Sequence, residues 1–413
     1  MKRSIIYLIT FIFSILLPLT SFSQGIVTYS GKVRNNKTKK PMEYVSLTVP
    51  GTNISTVTNA EGYFSLKVPE EELSQGIKVE QIGYQSRIFT REELSVNSDN
   101  LNLFLKSSDK PLKEVIVLGG DPREIVEMAL EKIPENYSDK NNLFSGFYRE
   151  TVKKGSRFVS ISEAMVDVLK KPYWERNIHG DLVNINKGRS LLSQKASDTL
   201  GVKLAGGPYM SIVLDVVKNG DHLFHADEIG YYDFKMEPAV MIDDRLHYAI
   251  SFKPKVSLSY PMNSGILFID ADNKAISRVE FELDMKDKTK VTNAILQKKP
   301  RGLNFKPQEV SGIVTYKLIN GKSYLNYISS KIRFKCDWKK RLFSSGYTTV
   351  AEMVMVDRDD NPEKHRKFKD KFNQWKVFSD VVGDYWEEDF WKDYNIIEPT
   401  ESLEKAVIKL KKK

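Results

Sequence analysis

The chain has 413 residues, 41% of them hydrophobic and 28% charged, and carries a net charge of +9. This is the balance of a globular chain long enough for two or three cored domains, so it excludes a disordered or fibrous protein. The single cysteine, Cys336, excludes an internal disulfide. The basic residues are scattered in short runs such as Lys153-Lys154, Lys170-Lys171 and Lys339-Lys340-Arg341, the pattern of solvated faces and turns rather than of a nucleic-acid footprint.

Residues 1–23 read as a signal peptide. Lys2 and Arg3 precede an uncharged, mostly apolar run from Ser4 to Leu19, and Ser21-Phe22-Ser23 supplies small residues before Gln24. The run is short for a membrane span. No cysteine lies near the cleavage point, so no lipid-modified N-terminus is expected. The mature chain is therefore expected to be exported, in the periplasm or at the outer membrane, without a transmembrane span.

Residues 24–108 show period-two patterning. Val45, Leu47 and Val49 alternate with Ser46 and Thr48, Phe64, Leu66 and Val68 with Ser65 and Lys67, and Leu101, Leu103 and Leu105 with Asn102 and Phe104. Each such strand buries one face. Turn residues separate the runs at Pro50-Gly51-Thr52-Asn53, Asn59-Ala60-Glu61-Gly62 and Ile82-Gly83-Tyr84. Short strands at this spacing predict a β-sandwich.

Residues 109–121 read as a linker, with Leu112 to Val117 as an exit strand. Asp121 and Pro122 then open a helix as N-cap and first-turn proline. Ile125, Met128, Ala129 and Ile133 are expected on its apolar face, with Pro134 ending it. Residues 122–360 otherwise read as a β-rich domain with a large antiparallel sheet. Its strands are expected at Arg157 to Val168, His247 to Phe252, Gly265 to Ile269, Ile276 to Leu283, Gly312 to Leu318, Tyr324 to Phe334 and Thr348 to Val356. Residues 361–413 read as a helical, aromatic-rich segment. Pro362 to Gln374 is charged. Trp375, Phe378, Tyr385, Trp386, Phe390, Trp391 and Tyr394 crowd after it, and are expected to seal an open sheet face, the alternative being that they stack on sugar rings or settle in a membrane interface. Glu401 to Leu410 closes as an amphipathic helix with Leu403, Val407 and Leu410 on one side.

The ordered set Gly31-Lys32-Val33, Lys40-Pro41-Met42-Glu43-Tyr44-Val45-Ser46-Leu47, Gly51-Thr52, Thr58-Asn59-Ala60-Glu61-Gly62-Tyr63-Phe64-Ser65-Leu66 and Ile82-Gly83-Tyr84 resembles the carboxypeptidase regulatory-like domain, a transthyretin-like β-sandwich. That resemblance implies a non-catalytic module at the N-terminus of an exported protein of Bacteroidetes type. Gly265 to Asp270 followed by Ala275 to Glu280 is similar to a hairpin of lipoprotein-carrier (LolA/LolB-like) sheets. Phe147 to Glu150, Ser162 to Asp167 and Lys187-Gly188-Arg189 resemble the uncharacterised DUF5686-like group, which implies this pairing of domains and supplies no known activity.

The chemistry-bearing residues point away from an enzyme. His222-Leu223-Phe224-His225-Ala226-Asp227-Glu228 contains His-x-x-Glu and would bring His222, His225 and Glu228 together as metal ligands of an envelope hydrolase. The glycines and aspartate around it favour a surface loop. Cys336 lies in a strand pattern without a histidine motif and reads as a buried core thiol. Neither a nucleophile elbow nor a phosphate loop is present, and adjacent carboxylates such as Asp243-Asp244 and Glu387-Glu388 do not by themselves face each other across a cleft. The expectation is thus a mainly β, non-catalytic envelope protein with no cofactor and no assigned catalytic or metal residue. The sandwich would act as an interaction module, and the larger sheet would hold an apolar or glycan ligand or pack on an envelope partner.

Overall fold

The computed structural model describes residues 25–96, 98–108, 119–195, 198, 201–220, 223, 226–339, 344–360, 372, 376–386 and 394–411. The signal-peptide pattern, Leu112 to Val117, Pro362 to Gln374 apart from Phe372, and the aromatics Trp375, Phe390 and Trp391 lie outside them.

The first unit contains β1 (Ile26–Asn35), β2 (Ser46–Thr48), β3 (Ser55–Val57), β4 (Tyr63–Pro69), β5 (Ile77–Glu80), β6 (Arg87–Phe89) and β7 (Leu101–Leu105). They form two small sheets in the orders β4-β1-β7 and β3-β2-β5-β6. The alternating residues do what their spacing predicts: Leu47, Val49, Leu66, Val68, Leu103 and Leu105 are all buried in one core. Each such side chain contributes about 1.5–3 kcal/mol when fully buried. At the β3–β4 turn the Asn59 side-chain oxygen accepts from the backbone N–H groups of Glu61 and Tyr63, and Gly62 supplies the positive φ of 78°.

The second unit is a ten-stranded sheet. Its strands are β8 (Asn142–Lys154), β9 (Arg157–Lys170), β10 (Leu182–Leu192), β12 (Tyr232–Ile242), β13 (Arg245–Pro254), β14 (Asn263–Asp270), β15 (Ile276–Leu283), β17 (Leu303–Ile319), β18 (Lys322–Trp338) and β19 (Ser345–Asp359). Two short strands, β11 (Lys203–Leu204) and β16 (Leu296–Lys298), pair separately. The order is β10-β9-β8-β19-β18-β17-β15-β14-β13-β12, and every pairing is antiparallel. The protein is therefore mainly β: small N-terminal sheets, then one large antiparallel sheet with few helices. Asn320 and Gly321, with φ of 50° and 81°, turn β17 into β18 as a two-residue hairpin loop requires. Asp243 and Asp244, with φ of 52° and 56°, do the same between β12 and β13.

One face of this sheet is covered by helices. Asp121 caps the helix Pro122–Glu131 by accepting from the Arg123 N–H, and Ile125, Val126 and Ala129 are buried. Two details differ from expectation. Met128 is exposed, because the sheet meets only the Ile125–Val126–Ala129 side. Pro134 does not end the helix; it sits in the first turn of a separate short helix, Ile133–Asn136, where its missing N–H costs nothing. The helix Pro208–Val213 and the short helix Phe378–Val381 cover the same face. Phe378 packs edge-on against Tyr148 at 4.9 Å between ring centroids.

The opposite face carries the sandwich. Val57 packs among Phe147, Met165, Tyr327, Val354 and Val356. Ser55 Oγ donates to the Met355 carbonyl at 3.0 Å, and Asn53 Nδ2 donates to the Arg358 carbonyl at 2.9 Å. Tyr394 to Ile397 runs alongside, and the helix Glu401–Lys411 sets Leu403 against Ile161 and Leu191.

Candidate ligand-binding cavity

A row of cross-strand partners fixes the hollow in the helix-covered face. Phe281 on β15 is opposite Gly312 on β17, Gly312 is opposite Ser330 on β18, Ser330 is opposite Ala351 on β19, and Ala351 is opposite Glu150 on β8. Register puts all five on the same face. Three consecutive members are small. The Phe281 ring lies over Gly312, where a Cβ would stand 2.5 Å from it. Ser330 and Ala351 present only a hydroxyl and a methyl, so the sheet leaves a depression there.

Apolar side chains roof the depression. Gly207, at φ 87°, and Pro208 start the helix Pro208–Val213, which brings Met210 and Val213 over β18 and β19. Leu223, Met262, Phe281 and Ile295 complete the wall of a cavity of about 330 Å³. Polar groups sit at its two ends. At one end Tyr148 and Gly207 line the cavity, and the Tyr148 hydroxyl donates to Glu150 Oε2 at 2.9 Å and the Gly207 N–H to the same oxygen at 3.3 Å. Burial raises the Glu150 carboxyl above the ordinary range, against these two hydrogen bonds. At the other end the Tyr260 hydroxyl donates to Glu228. Burial and that carboxylate push the Tyr260 phenol up to about 12.

Beside the roof lies a buried ionic network. Lys170 Nζ is 3.0 Å from Asp181 and 2.8 Å from Asp215, with all three side chains at 0% exposure. The Tyr173 and Tyr316 hydroxyls donate to Asp215 at 2.9 and 2.6 Å. Burial alone works against the Lys170 cation, but Asp181 and Asp215 outweigh it and its pKa rises. The network ties the chain that follows the roof helix to β9 and β17.

Of the three residues of the sequence-derived metal motif, His222 and His225 lie outside the described residues. Glu228 stands at the cavity end with Tyr260 as its partner. Among the described residues no group of three or more His, Cys, Asp or Glu is placed to hold a metal ion. His247 is buried, its ring nitrogens 2.9 Å from the Arg245 carbonyl and 2.8 Å from Ser277 Oγ. Cys336 is buried on β18, and burial pushes its thiol up to about 11. The carboxylates of Asp243-Asp244 belong to a hairpin turn, and Glu387-Glu388 lies outside the described residues. The residues that shape the cavity, Gly312, Ser330 and Ala351, went unmarked in the sequence. The available signal was a glycine inside a strand pattern, which marks close approach of a neighbour.

Three comparisons bear on relatives. No curated protein matches the chain. Among solved structures, an outer membrane lipoprotein-sorting protein domain from Vibrio parahaemolyticus is 12% identical, covering 60% of this chain and 97% of its own, at a TM-score of 0.27. A LolA superfamily protein from Nitrosomonas europaea is 15% identical, covering 59% and 97%, at 0.22. A DUF1329 family protein from Desulfovibrio piger is 11% identical, covering 60% and 98%, at 0.23. TM-scores this low carry neither a shared fold nor a shared activity to this chain. The family comparison is specific: residues 29–117 match the model described as CarboxypepD_reg-like domain, and the resemblance carried by Gly31 to Tyr84 is borne out over that stretch.

Proposed function

We propose that this is a non-catalytic, exported cell-envelope protein that holds an apolar ligand in the cavity above the ten-stranded sheet, with the sandwich as an interaction module. The observation that carries the proposal is the pair of small residues Ser330 and Ala351, flanked by Phe281, beneath an apolar roof. Protein interiors are close-packed, so a hollow lined by apolar side chains leaves their surface unburied, and a ligand that fills it removes that surface from water. Its volume and its mostly apolar lining with a few polar groups are those of small-molecule sites. The signal-peptide pattern of residues 1–23 supports the envelope setting. The domain limits 24–108 and 122–360, and the DUF5686-like grouping, belong to the same proposal.

The test is direct. The mature protein is purified, examined by native mass spectrometry for a retained apolar molecule, and titrated with a fluorescent apolar probe. Probe binding that disappears in Ala351→Phe, with the melting transition retained, supports the reading. Failure of the wild-type chain to bind any apolar probe refutes it. Stoichiometric zinc that is lost in His225→Ala would replace it with a metal-dependent hydrolase using His222, His225 and Glu228.

A further inference from the structure

The apolar cavity has a polar neighbour. A chamber of about 270 Å³ is lined by Lys255, Lys286, Lys290, Asp284 and Asp287. Tyr260, Pro261 and Met262 line both spaces. They lie on the connection between β13 and β14, which is held at several points. The Lys255 N–H donates to the Tyr231 carbonyl at 2.9 Å, and the Asp284 N–H donates to the Met262 carbonyl at 2.9 Å. Lys290 Nζ donates to Ser257 Oγ at 3.1 Å and to the Leu258 carbonyl. The two spaces thus adjoin along one segment whose backbone is held in place, and Tyr260 in it is 44% exposed.

We propose that the ligand is an amphiphile whose chain fills the apolar cavity and whose zwitterionic head occupies the adjoining Lys/Asp chamber. The proposal rests on the apolar-ligand reading above and adds the class of ligand. The two spaces divide the chemistry between them. The lining of the apolar cavity includes the Glu228 carboxyl, so an acid group inside it meets like charge. The chamber mixes signs: Lys286 Nζ is 3.3 Å from Asp284, and Lys290 Nζ is 4.0 Å from Asp287. A purely anionic head would leave the two aspartates facing like charge, and a purely cationic one would do the same to the three lysines. A head with an anion and an ammonium pairs with both. Taking a methylene as about the size of a water, ~30 Å³, the apolar cavity takes a chain of roughly ten carbons. Each buried methylene strengthens binding about fourfold.

The full mature chain is titrated, below micelle-forming concentrations, with three twelve-carbon probes: monolauroyl lysophosphatidylethanolamine, lauroylglycerol and laurate. The expected result is at least tenfold tighter binding of the zwitterionic probe than of the other two. Lys255→Gln combined with Lys286→Gln, both on the surface, removes that preference while leaving lauroylglycerol affinity unchanged. Ala351→Phe or Ser330→Leu abolishes binding of all three. Equal binding of the three probes, or tighter binding of laurate, overturns the zwitterion assignment and leaves the cavity reading standing. Binding of none overturns both. Binding of all three that survives both cavity-filling variants places the ligand elsewhere and overturns the proposal.

Discussion

The two faces of the ten-stranded sheet are closed in different ways. Under the helices the sheet meets its cover through apolar side chains and keeps a hollow, and the buried Lys170 cation beside it is met by two carboxylates, Asp181 and Asp215. Under the sandwich the contact is packed around Val57 and leaves only a small space of about 60 Å³ beside Glu80 and Lys317, and its charges are matched unevenly. Arg149, Glu163 and Arg189 form a closed set, with Arg149 Nε 2.7 Å and Arg189 Nη2 2.6 Å from the carboxylate. A few strands away, Glu80 and Lys78 of the sandwich meet Asp243 and Lys317 of the sheet, and two carboxylates crowd together there. The lesson is that burial does not decide the fate of a charge; the count and geometry of its partners do.

The comparison breaks most visibly at Asp215. Asp215→Ala strips Lys170 of one counter-charge and leaves the Tyr173 and Tyr316 hydroxyls without their acceptor. A loss of about 3–5 kcal/mol is expected from such a buried pair, read as a fall in the denaturant midpoint. On the other face, Glu163→Gln should cost about 2–3 kcal/mol, the worth of hydrogen bonds to a charged group. Burial works against the Glu163 carboxylate, yet Arg149 and Arg189 hold its pKa below the ordinary carboxylate range. Its stabilisation is therefore present above the unfolded carboxylate pKa and is lost as pH falls through the lowered value. Acid unfolding that begins at the same pH in wild type and Glu163→Gln would contradict this.

Glu80 has the opposite sign. Burial, then Asp243, raises its pKa to about 7, with Lys78 and Lys317 offsetting only part. Stability from this site is complete below the ordinary glutamate pKa and is lost as pH rises through about 7. The sandwich should dock more weakly at pH 8 than at pH 5 by about 1–2 kcal/mol, less than the full shift implies because the groups titrate together. Hydrogen exchange in β5 at the two pH values measures it, and Glu80→Gln should flatten the difference. Lys317, which burial lowers to about 8, acts in a separate window: its penalty is relieved as pH rises above 8. The smallest effect belongs to Ser55→Ala, which removes the hydrogen bond to the Met355 carbonyl and should cost about 1 kcal/mol.

How much of this was legible depended on local signals. The sandwich strands showed clean alternation between turn residues, and the helix at Pro122 announced itself through Asp121. The strands β13, β14, β15, β17, β18 and β19 all contain the segments expected of them. The strands β8, β10 and β12 were not anticipated. Both faces of β8 are buried over much of its length, so alternation is blurred there. In β10, Gly188 and Asn184 dilute the apolar pattern, and Pro238 sits at an irregularity of β12 between Glu237 and Val240. The cavity was invisible for a different reason. Gly312, Ser330 and Ala351 become neighbours only through the register of three strands, and no local pattern encodes that register.

The strap formed by Tyr394 to Pro399 has a consequence in time. Thr56 Oγ1 donates to the Ile396 carbonyl and Asn59 Nδ2 to the Pro399 carbonyl, each across 340 residues of chain, and Lys67 exchanges hydrogen bonds with Asn395. The sandwich core closes on local contacts, but these partners are synthesised some tens of seconds later at about 5–20 residues per second. Closing so long a loop adds little free energy, since its cost grows only with the logarithm of length. Wherever the chain emerges N-terminus first into the compartment in which it folds, the sandwich can finish its core before its surface, and Thr56 and Asn59 wait for Ile396 and Pro399.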